Sequence, residues 1–332
     1  MKAGAARVLD ALRRAGGRTC SGATVSKDLG VSRAQVWKHV EALRALGYKI
    51  EAAAGDGYQL NEVPDRLYAE EIQAGLGTRW LAREVHWLDS TDSTNRVALE
   101  LAREGANHGT TVVAEGQTAG RGRLGRSFFS PPHLNLYTSI VLRPQLTTAE
   151  APALILASAV AVAEAVADTV DDPEAVEIKW PNDVLLGGLK TSGILMELGA
   201  EATRISFLVL GIGVNLNVDR PSFPDEFREL ATSLSSHTGH RVDRVAFTQR
   251  LYGHLERVVD RCAEHGFDAV RPAFEARFRM TGRRVEVIEL DGARLPGTVL
   301  GIADDGTLRL RDDGGRERRV IAGDVTLAKE PA

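Results

Sequence analysis

The chain has 332 residues, enough for two or three domains at roughly 100–200 residues each. Hydrophobic residues make up 43% and charged residues 26%, which excludes disordered, collagen-like and coiled-coil chains, and two distant cysteines exclude a disulfide framework or a cysteine-rich zinc site. The net charge of −4 divides unevenly: residues 1–63 carry ten cations against six anions and the remainder 31 against 39, so a basic head precedes an acidic body and points to nucleic acid at one end.

The N-terminus has acid and arginine where a signal peptide needs an apolar core. Ala5, Val8, Leu9 and Leu12 instead make one helical stripe, ended by Gly16-Gly17. A short helix over 24–29 stops at Gly30. Ser32 stands as an N-cap for a helix reaching Leu46, with Val36, Val40 and Leu43 on one face. Residues 49–60 alternate around the Gly55-Asp56-Gly57 turn signal, which reads as a hairpin. This is the order of a winged helix-turn-helix, whose second helix can present its N-terminal side chains to base edges. Ser32, Arg33, Gln35 and Lys38 are the candidate DNA-binding residues. Pro64-Asp65-Arg66 marks a linker.

Strands and helices then alternate. Strands are expected at 84–88, 111–114, 134–142, 177–180, 193–198 and 205–211, and helices at 94–103, 148–170 and 245–265. The longest apolar run, 153–163, is short of the roughly 20 residues that span a bilayer. The cysteine usage suits a reducing compartment. A cytoplasmic protein with no membrane partner is expected.

Four constellations carry chemistry. Asp92-Ser93-Thr94-Asn95 opens a helix; these are good capping residues, and such a terminus also binds polar ligand groups. Residues 117–126, QTAGRGRLGR, contain a literal G-x-G-x-x-G, but the following SFFSPP cannot open a helix, so dinucleotide binding is rejected. What remains is a flexible cationic loop suited to phosphate or carboxylate, or a solvated turn. Lys179-Trp180-Pro181-Asn182-Asp183 ends a strand, and Gly187-Gly188 turns the chain so that Lys190 returns beside it. Gly211-Ile212-Gly213-Val214-Asn215-Leu216-Asn217 places glycines at a strand exit, where a neighbour can approach closely. No Ser-His-Asp, HExxH or Walker A pattern is present, and the histidines lack ligand spacing, so no permanent metal site is expected.

In this order DSTN (92–95), GQTAGRGRLGRSFFSP (116–131), KWPNDVLL with SGILME (179–197) and GIGVNLN (211–217) resemble the biotin–protein ligases, and with the winged helix the whole chain resembles the bifunctional biotin ligase/biotin operon repressors. The resemblance implies an α+β multidomain fold: a winged helix-turn-helix at 1–63, a class II synthetase-like ligase domain with a central mixed sheet at 64–281, and an SH3-like β-barrel at 282–332. It implies biotinyl-5′-adenylate formation from biotin and ATP with Mg²⁺, then transfer to a lysine of a biotin carboxyl carrier protein, an acetyl-CoA carboxylase subunit. The adenylate-bound form would be a homodimer on operator DNA. Carried over by motif, Lys190, Arg123 and Asp183 are catalytic. Ser93, Thr94, Asn95, Gln117, Arg121, Gly122, Arg123, Lys190, Gly193 and Leu195 line biotin. Arg121, Arg123, Phe128, Asn182 and Asn215 serve the nucleotide, with Leu230–Leu234 over adenine. The alternatives are a biotin-sensing DNA-binding regulator without catalysis and a ligase whose winged helix no longer binds DNA.

Overall fold

In the computed structural model, which describes residues 1–53, 57–148, 150–201, 204–289 and 292–327, the apolar stripe of the first helix becomes the core of an N-terminal unit, Met1–Ala74. Helix α1 (Ala3–Arg14) buries Ala5, Val8, Leu9 and Leu12. Strand β1 (Cys20–Ser21), α2 (Gly22–Leu29) and α3 (Arg33–Ala45) follow. Ser32 caps α3, its Oγ accepting from Gln35 N at 3.2 Å, and Val36, Val40 and Leu43 form the buried face. Strands β2 (Lys49–Ala53) and β3 (Gly57–Glu62) complete a sheet of order β1-β3-β2. Of the wing turn, Gly55 and Asp56 lie outside the described residues. The unit runs past Pro64 through α4 (Ala69–Gln73), which the sequence reading left unassigned. Tyr48 stacks on Tyr68 at 6.3 Å and donates its hydroxyl to Glu71, which also pairs with Arg13. Burial first, then the bond to Glu71, pushes the Tyr48 phenol up.

The second unit, Gly75–Ala332, is built on a seven-stranded sheet. In chain order it contains β4 (Val85–Leu88), α5 (Thr94–Arg103), β5 (Thr111–Ala114), β6 (Leu136–Leu142), α6 (Ala151–Ala167), β7 (Val176–Lys179), β8 (Asp183–Leu186), β9 (Leu189–Glu201) and β10 (Arg204–Val214). The sheet order is β4-β5-β6-β10-β9-β8-β7; β4 and β5 are parallel and every other pair is antiparallel. Helix α5 lies over β5, β6 and β10, where Ala98 and Ala102 pack on Val112, Val141 and Val209. Helix α6 is buried on nearly every side, as its unbroken apolar run requires, between β7–β9 and α9. Two short helices, α7 (Asp225–Arg228) and α8 (Leu234–Thr238), precede α9 (Arg244–His265), and α10 (Arg271–Arg277) closes this part. At the start of α9 the Arg244 guanidinium meets the Glu115 carboxylate at 2.9 Å, both side chains fully buried.

The last strands are β11 (Arg284–Glu289), β12 (Arg294–Ile302), β13 (Leu308–Asp312), β14 (Glu317–Val320) and β15 (Gly323–Leu327). The expected SH3-like barrel is not formed: the sheet is open, of order β14-β13-β12-β11-β15, and its edge strands β14 and β15 do not pair. Alternation and glycine turns specify neighbouring antiparallel pairs, and those pairs are present. The same signals say nothing about whether the two edges meet. The two-residue link, Ile321 and Ala322, joins the edge strands β14 and β15 with no ladder between them, and β15 pairs with β11 instead. Between β11 and β12 the sequence offers Asp291-Gly292 as a turn, of which Gly292 alone lies within the described residues. Trp180 Nε1 donates to Gly306 O at 3.0 Å and ties this sheet to the end of β7. Among the described residues no helix is long and apolar enough to cross a membrane.

Glu256 on α9 gathers the chain before β4. Its carboxylate accepts the backbone N–H groups of Arg79, Trp80 and Leu81 at 2.7, 2.8 and 3.0 Å. Burial alone would raise its pKa, but these donors hold it below the ordinary 4.5. A depressed carboxyl stabilises fully above that value, and the contribution is lost as pH falls through the folded pKa. Glu256→Gln is therefore expected to lower the unfolding free energy by about 1–3 kcal/mol near neutrality, with the gap to the parent narrowing in acid. Urea denaturation at about pH 7 and about pH 3 checks this; a pH-independent gap would exclude the ionised carboxylate as the cause.

Candidate functional site

The face of the main sheet under α5 loses its side chains toward one end. Along β10 that face carries Val209, Gly211 and Gly213, paired with Glu197, Leu195 and Gly193 on β9. A Cβ on Gly211 would come 2.0 Å from Asn95 Oδ1, and one on Gly213 would come 2.6 Å from the Phe128 ring. The bare strip therefore lets the α5 N-terminus and the Phe128 ring lie directly on the backbone. It forms the floor of a cavity of about 520 Å³.

At one end of the cavity, Ser93, Thr94 and Asn95 begin α5 and are buried. Gln117 Oε1 accepts from Thr94 N at 2.9 Å and from Thr94 Oγ1 at 3.1 Å, and Gln117 Nε2 donates to Ser130 Oγ at 3.0 Å. Ser139 Oγ reaches Thr94 Oγ1 at 2.8 Å and Asn95 Oδ1 at 2.6 Å. Asn95 Nδ2 donates to Glu197 Oε2 at 2.9 Å and to Leu195 O at 3.3 Å. Every polar atom of the Asn95 amide thus has a partner, and its orientation is fixed by them.

The cationic loop 117–128 is a small hairpin. Arg121 bridges Ser127, Gly122 N donates to Arg126 O at 2.7 Å and Phe128 N to Gly120 O at 2.9 Å. Its tip holds Leu124 at φ 55°, half-exposed, a left-handed conformation that costs a non-glycine residue about 1–2 kcal/mol. The loop's arginines find separate partners. Arg121 Nη2 pairs with Glu197 Oε1 at 2.9 Å, and Arg126 Nη2 with Asp324 Oδ2 at 2.5 Å. Arg123 Nη1 donates to Asn182 Oδ1 at 3.3 Å and to Gly323 O at 3.2 Å. Among the described residues no carboxylate lies within ion-pair distance of Arg123. Burial lowers its pKa, while Asp183 and Asp324 at longer range partly restore it. A guanidinium keeps its proton under such a shift, so this is a desolvated cation facing a cavity.

Opposite, Lys190 Nζ lies 2.7 Å from Asp183 Oδ1; the angles miss hydrogen-bond geometry, so the contact is an ion pair alone. β8 and β9 pair Asp183 with Gly193 and Leu185 with Lys190, and the lysine chain passes over the bare Gly193 to reach the aspartate. The segment 230–232 runs beside Lys190: Lys190 N donates to Leu230 O at 2.8 Å and Thr232 N to Lys190 O at 2.9 Å.

Of the residues expected from sequence, Ser93, Thr94, Asn95, Gln117, Arg121, Gly122, Arg123, Phe128, Asn182, Asp183, Lys190, Gly193 and Leu195 all line this one cavity. Asn215 does not. It is buried behind the wall, donating to Thr232 O at 3.2 Å while its Oδ1 accepts from Asn135 at 3.4 Å. On α3, Arg33 and Lys38 are exposed, Ser32 is occupied as the cap, and Gln35 contacts His39 at 3.3 Å. Trp37, unremarked in the sequence, is 53% exposed on the same helix. The sequence reading also missed Asp324, Val325 and Thr326, which line the cavity from β15 and belong to no motif. Glu197 was missed although alternation from Gly193 and Leu195 puts it on the same face. Among the described residues no group of three or more His, Cys, Asp or Glu could hold a metal ion.

Residues 87–215 match the Biotin/lipoate A/B protein ligase family, residues 5–59 an HTH domain and residues 281–327 the Biotin protein ligase C terminal domain. The Bifunctional ligase/repressor BirA of Bacillus subtilis is 37% identical over 320 residues, 96% of this chain and 97% of the relative. That of Escherichia coli is 31% identical over 300 residues, 90% of each. Among solved structures, biotin protein ligase from Aquifex aeolicus in complex with biotin and ATP superposes with a TM-score of 0.63 at 28% identity, covering 75% of this chain and all of that one.

The floor makes a direct prediction. Gly211→Ala would push the Asn95 amide off its partners and is expected to cost about 1–3 kcal/mol of stability, the usual penalty for orphaned buried polar groups. An unchanged urea midpoint would show that the floor can yield.

Proposed function

The chain belongs to the family of bifunctional biotin ligases and repressors, and on that premise we propose that the cavity is where biotin and ATP are joined. The protein is an ATP-dependent biotin–protein ligase that proceeds through biotinyl-5′-adenylate, and a repressor. The observation that carries the reading is the convergence on one cavity of a polar, ordered helix terminus, a desolvated arginine and a half-exposed lysine. An adenylate-forming site needs these groups, because both reactants bring their own nucleophile and leaving group.

In the first step a biotin carboxylate oxygen attacks the α-phosphorus of ATP. The bond from that phosphorus to the bridging oxygen breaks, and pyrophosphate leaves with the electron pair. Thr94, Asn95 and Gln117 hold the polar end of biotin, with Ser93 and Leu195 beside them. Lys190 and Arg123 sit on the reacting carboxylate and phosphate, where their attraction grows as charge builds. Mg²⁺ enters with the nucleotide as part of the substrate, and Asp183 faces it. Arg121 and Gly122 close the biotin side, Asn182 and Phe128 the nucleotide side. Asn215 serves the nucleotide by holding 230–232 in place. In the second step the amine of a carrier lysine attacks the acyl carbon of the mixed anhydride and AMP departs.

Residues 1–63 act as the DNA-binding part, 64–281 as the ligase and 282–332 as a C-terminal domain. The partners are a biotin carboxyl carrier protein and operator DNA, the latter bound by a homodimer of the adenylate-loaded form. Arg33 and Lys38, exposed on α3, supply its charge contacts.

Biotin-dependent release of pyrophosphate from ATP by the purified chain tests the ligase reading. Lys190→Ala is expected to slow it by about 10²–10³ while the fold survives; rates near the parent's would remove Lys190 from the reaction. Release absent in the parent, with biotin still bound in calorimetry, would favour a sensor without catalysis. For DNA, Arg33→Ala and Lys38→Ala should each flatten the salt dependence of operator binding by about two units of log slope, one for each protomer of the dimer. Unaltered slopes would take α3 off the phosphate backbone.

A further inference from the structure

Glu197 bonds both the floor of the cavity and the loop that covers it. Its Oε2 accepts from Asn95 Nδ2 at 2.9 Å, and its Oε1 pairs with Arg121 Nη2 at 2.9 Å. The two arms differ in setting. Asn95 is 4% exposed and its amide is pinned from the other side by Ser139, so that arm is enclosed and directional. The Arg121 side chain is 49% exposed, so its arm faces solvent, is screened by salt and exchanges readily. The carboxylate itself is 23% exposed. Gly211, diagonal to it across the β9–β10 ladder, carries no side chain and leaves room for the Asn95 amide. The strand alternation sets the carboxylate one step outside Leu195, at the cavity's border.

We propose that Glu197 is a positioning residue that holds the arginine–glycine loop over the cavity through Arg121 while fixing the Asn95 amide beneath it. The inference rests on the ligase reading only for its catalytic consequence: a loop held this way keeps biotinyl-adenylate from escaping before the carrier lysine arrives. An anchor that is firm on the floor and weak on the loop lets the loop open for substrates without disturbing the floor. The charge on Glu197 matters for the loop arm alone, since a neutral amide still accepts from Asn95.

Glu197→Gln separates the arms. With no ligand present, hydrogen–deuterium exchange should speed up at the amides of Gly122, Arg126 and Phe128 and stay unchanged at Thr94, whose acceptor Gln117 is tied to Ser130 at the base of the loop, away from Arg121. In the presence of biotin and ATP, release of labelled adenylate should be about 3- to 5-fold faster than from the parent, the scale of one solvent-screened ion pair. It should also lose the parent's acceleration on raising salt. Arg121→Gln removes the same pair from the loop side; adding Glu197→Gln to it should change loop exchange no further. Parental loop exchange in Glu197→Gln, or additive effects in the double variant, would overturn the proposal. So would exchange rising equally on floor and loop, the mark of a purely structural defect. Failure of the parent to form adenylate would defeat the ligase reading and leave the ligand-free exchange result to judge Glu197 on its own.

Discussion

The structure of the ligase unit depends on a strip of sheet that carries almost no side chains. Beneath α5 the same face of β10 goes from Val209, packed under the helix, to Gly211, under Asn95, to Gly213, under Phe128. The first position contributes to the core and the other two make room. Since strand neighbours alternate faces, a glycine at every second position clears one face and leaves the other packed, as buried Leu210, Ile212 and Val214 show. A cavity can therefore open on one side of the sheet without thinning the core on the other. Glycine weakens a strand interior, but here both glycines of β10 lie between β6 and β9, in ladders that run from Leu208 to Val214 on both sides.

Over this floor the site keeps most of its cations on short tethers. Arg121, Arg126 and Lys190 each rest on a carboxylate, and each of these contacts is partly exposed. Such pairs contribute about 0–1 kcal/mol each, so an incoming carboxylate or triphosphate can compete for them at little cost. The fully buried Arg244–Glu115 pair is of another kind. Removing one partner there would strand a charge, at about 3–5 kcal/mol. Its surroundings hold the wall behind the site: Arg244 also donates to Asn135 O, and Asn135 meets Asn215, which in turn donates to Thr232 beside Lys190. The fixed charges stiffen the scaffold, and the loosely paired ones face the substrates.

Much of this was legible in the chain, for reasons that also explain what was not. Periodicity found the buried faces of α1 and α3, the all-round burial of α6 and most strands of the main sheet, because each is a local pattern. The glycine and arginine blocks marked the cavity because close backbone approach and anion binding each call for those residue types. Asn215 was grouped with them by motif, yet it lies behind the wall, since spacing along a strand cannot say on which side of a layer an amide will end. Asp324 and Arg126 meet although 198 positions separate them, and no local pattern carries that contact. Glu197 was within reach: strand alternation from Leu195 points to it, but a charge at the end of a hydrophobic strand reads as a solvated edge.

The open C-terminal sheet and the completed cavity are linked by the same strand. A strand paired on one side only keeps half of its backbone groups for other partners. On β15 one such group, the Gly323 carbonyl, accepts from Arg123, and the next residue, Asp324, holds Arg126. The opposite edge, β14, faces outward with Glu317, Arg318 and Arg319 exposed, charges that discourage another strand from adding to it. One edge is thus protected by charge, and the other is committed to the arginine loop. Arg123 Nη1 donates both to Asn182 Oδ1 beside β8 and to Gly323 O on β15, so a desolvated cation of the cavity is held by two sheets that the sequence presents as separate domains.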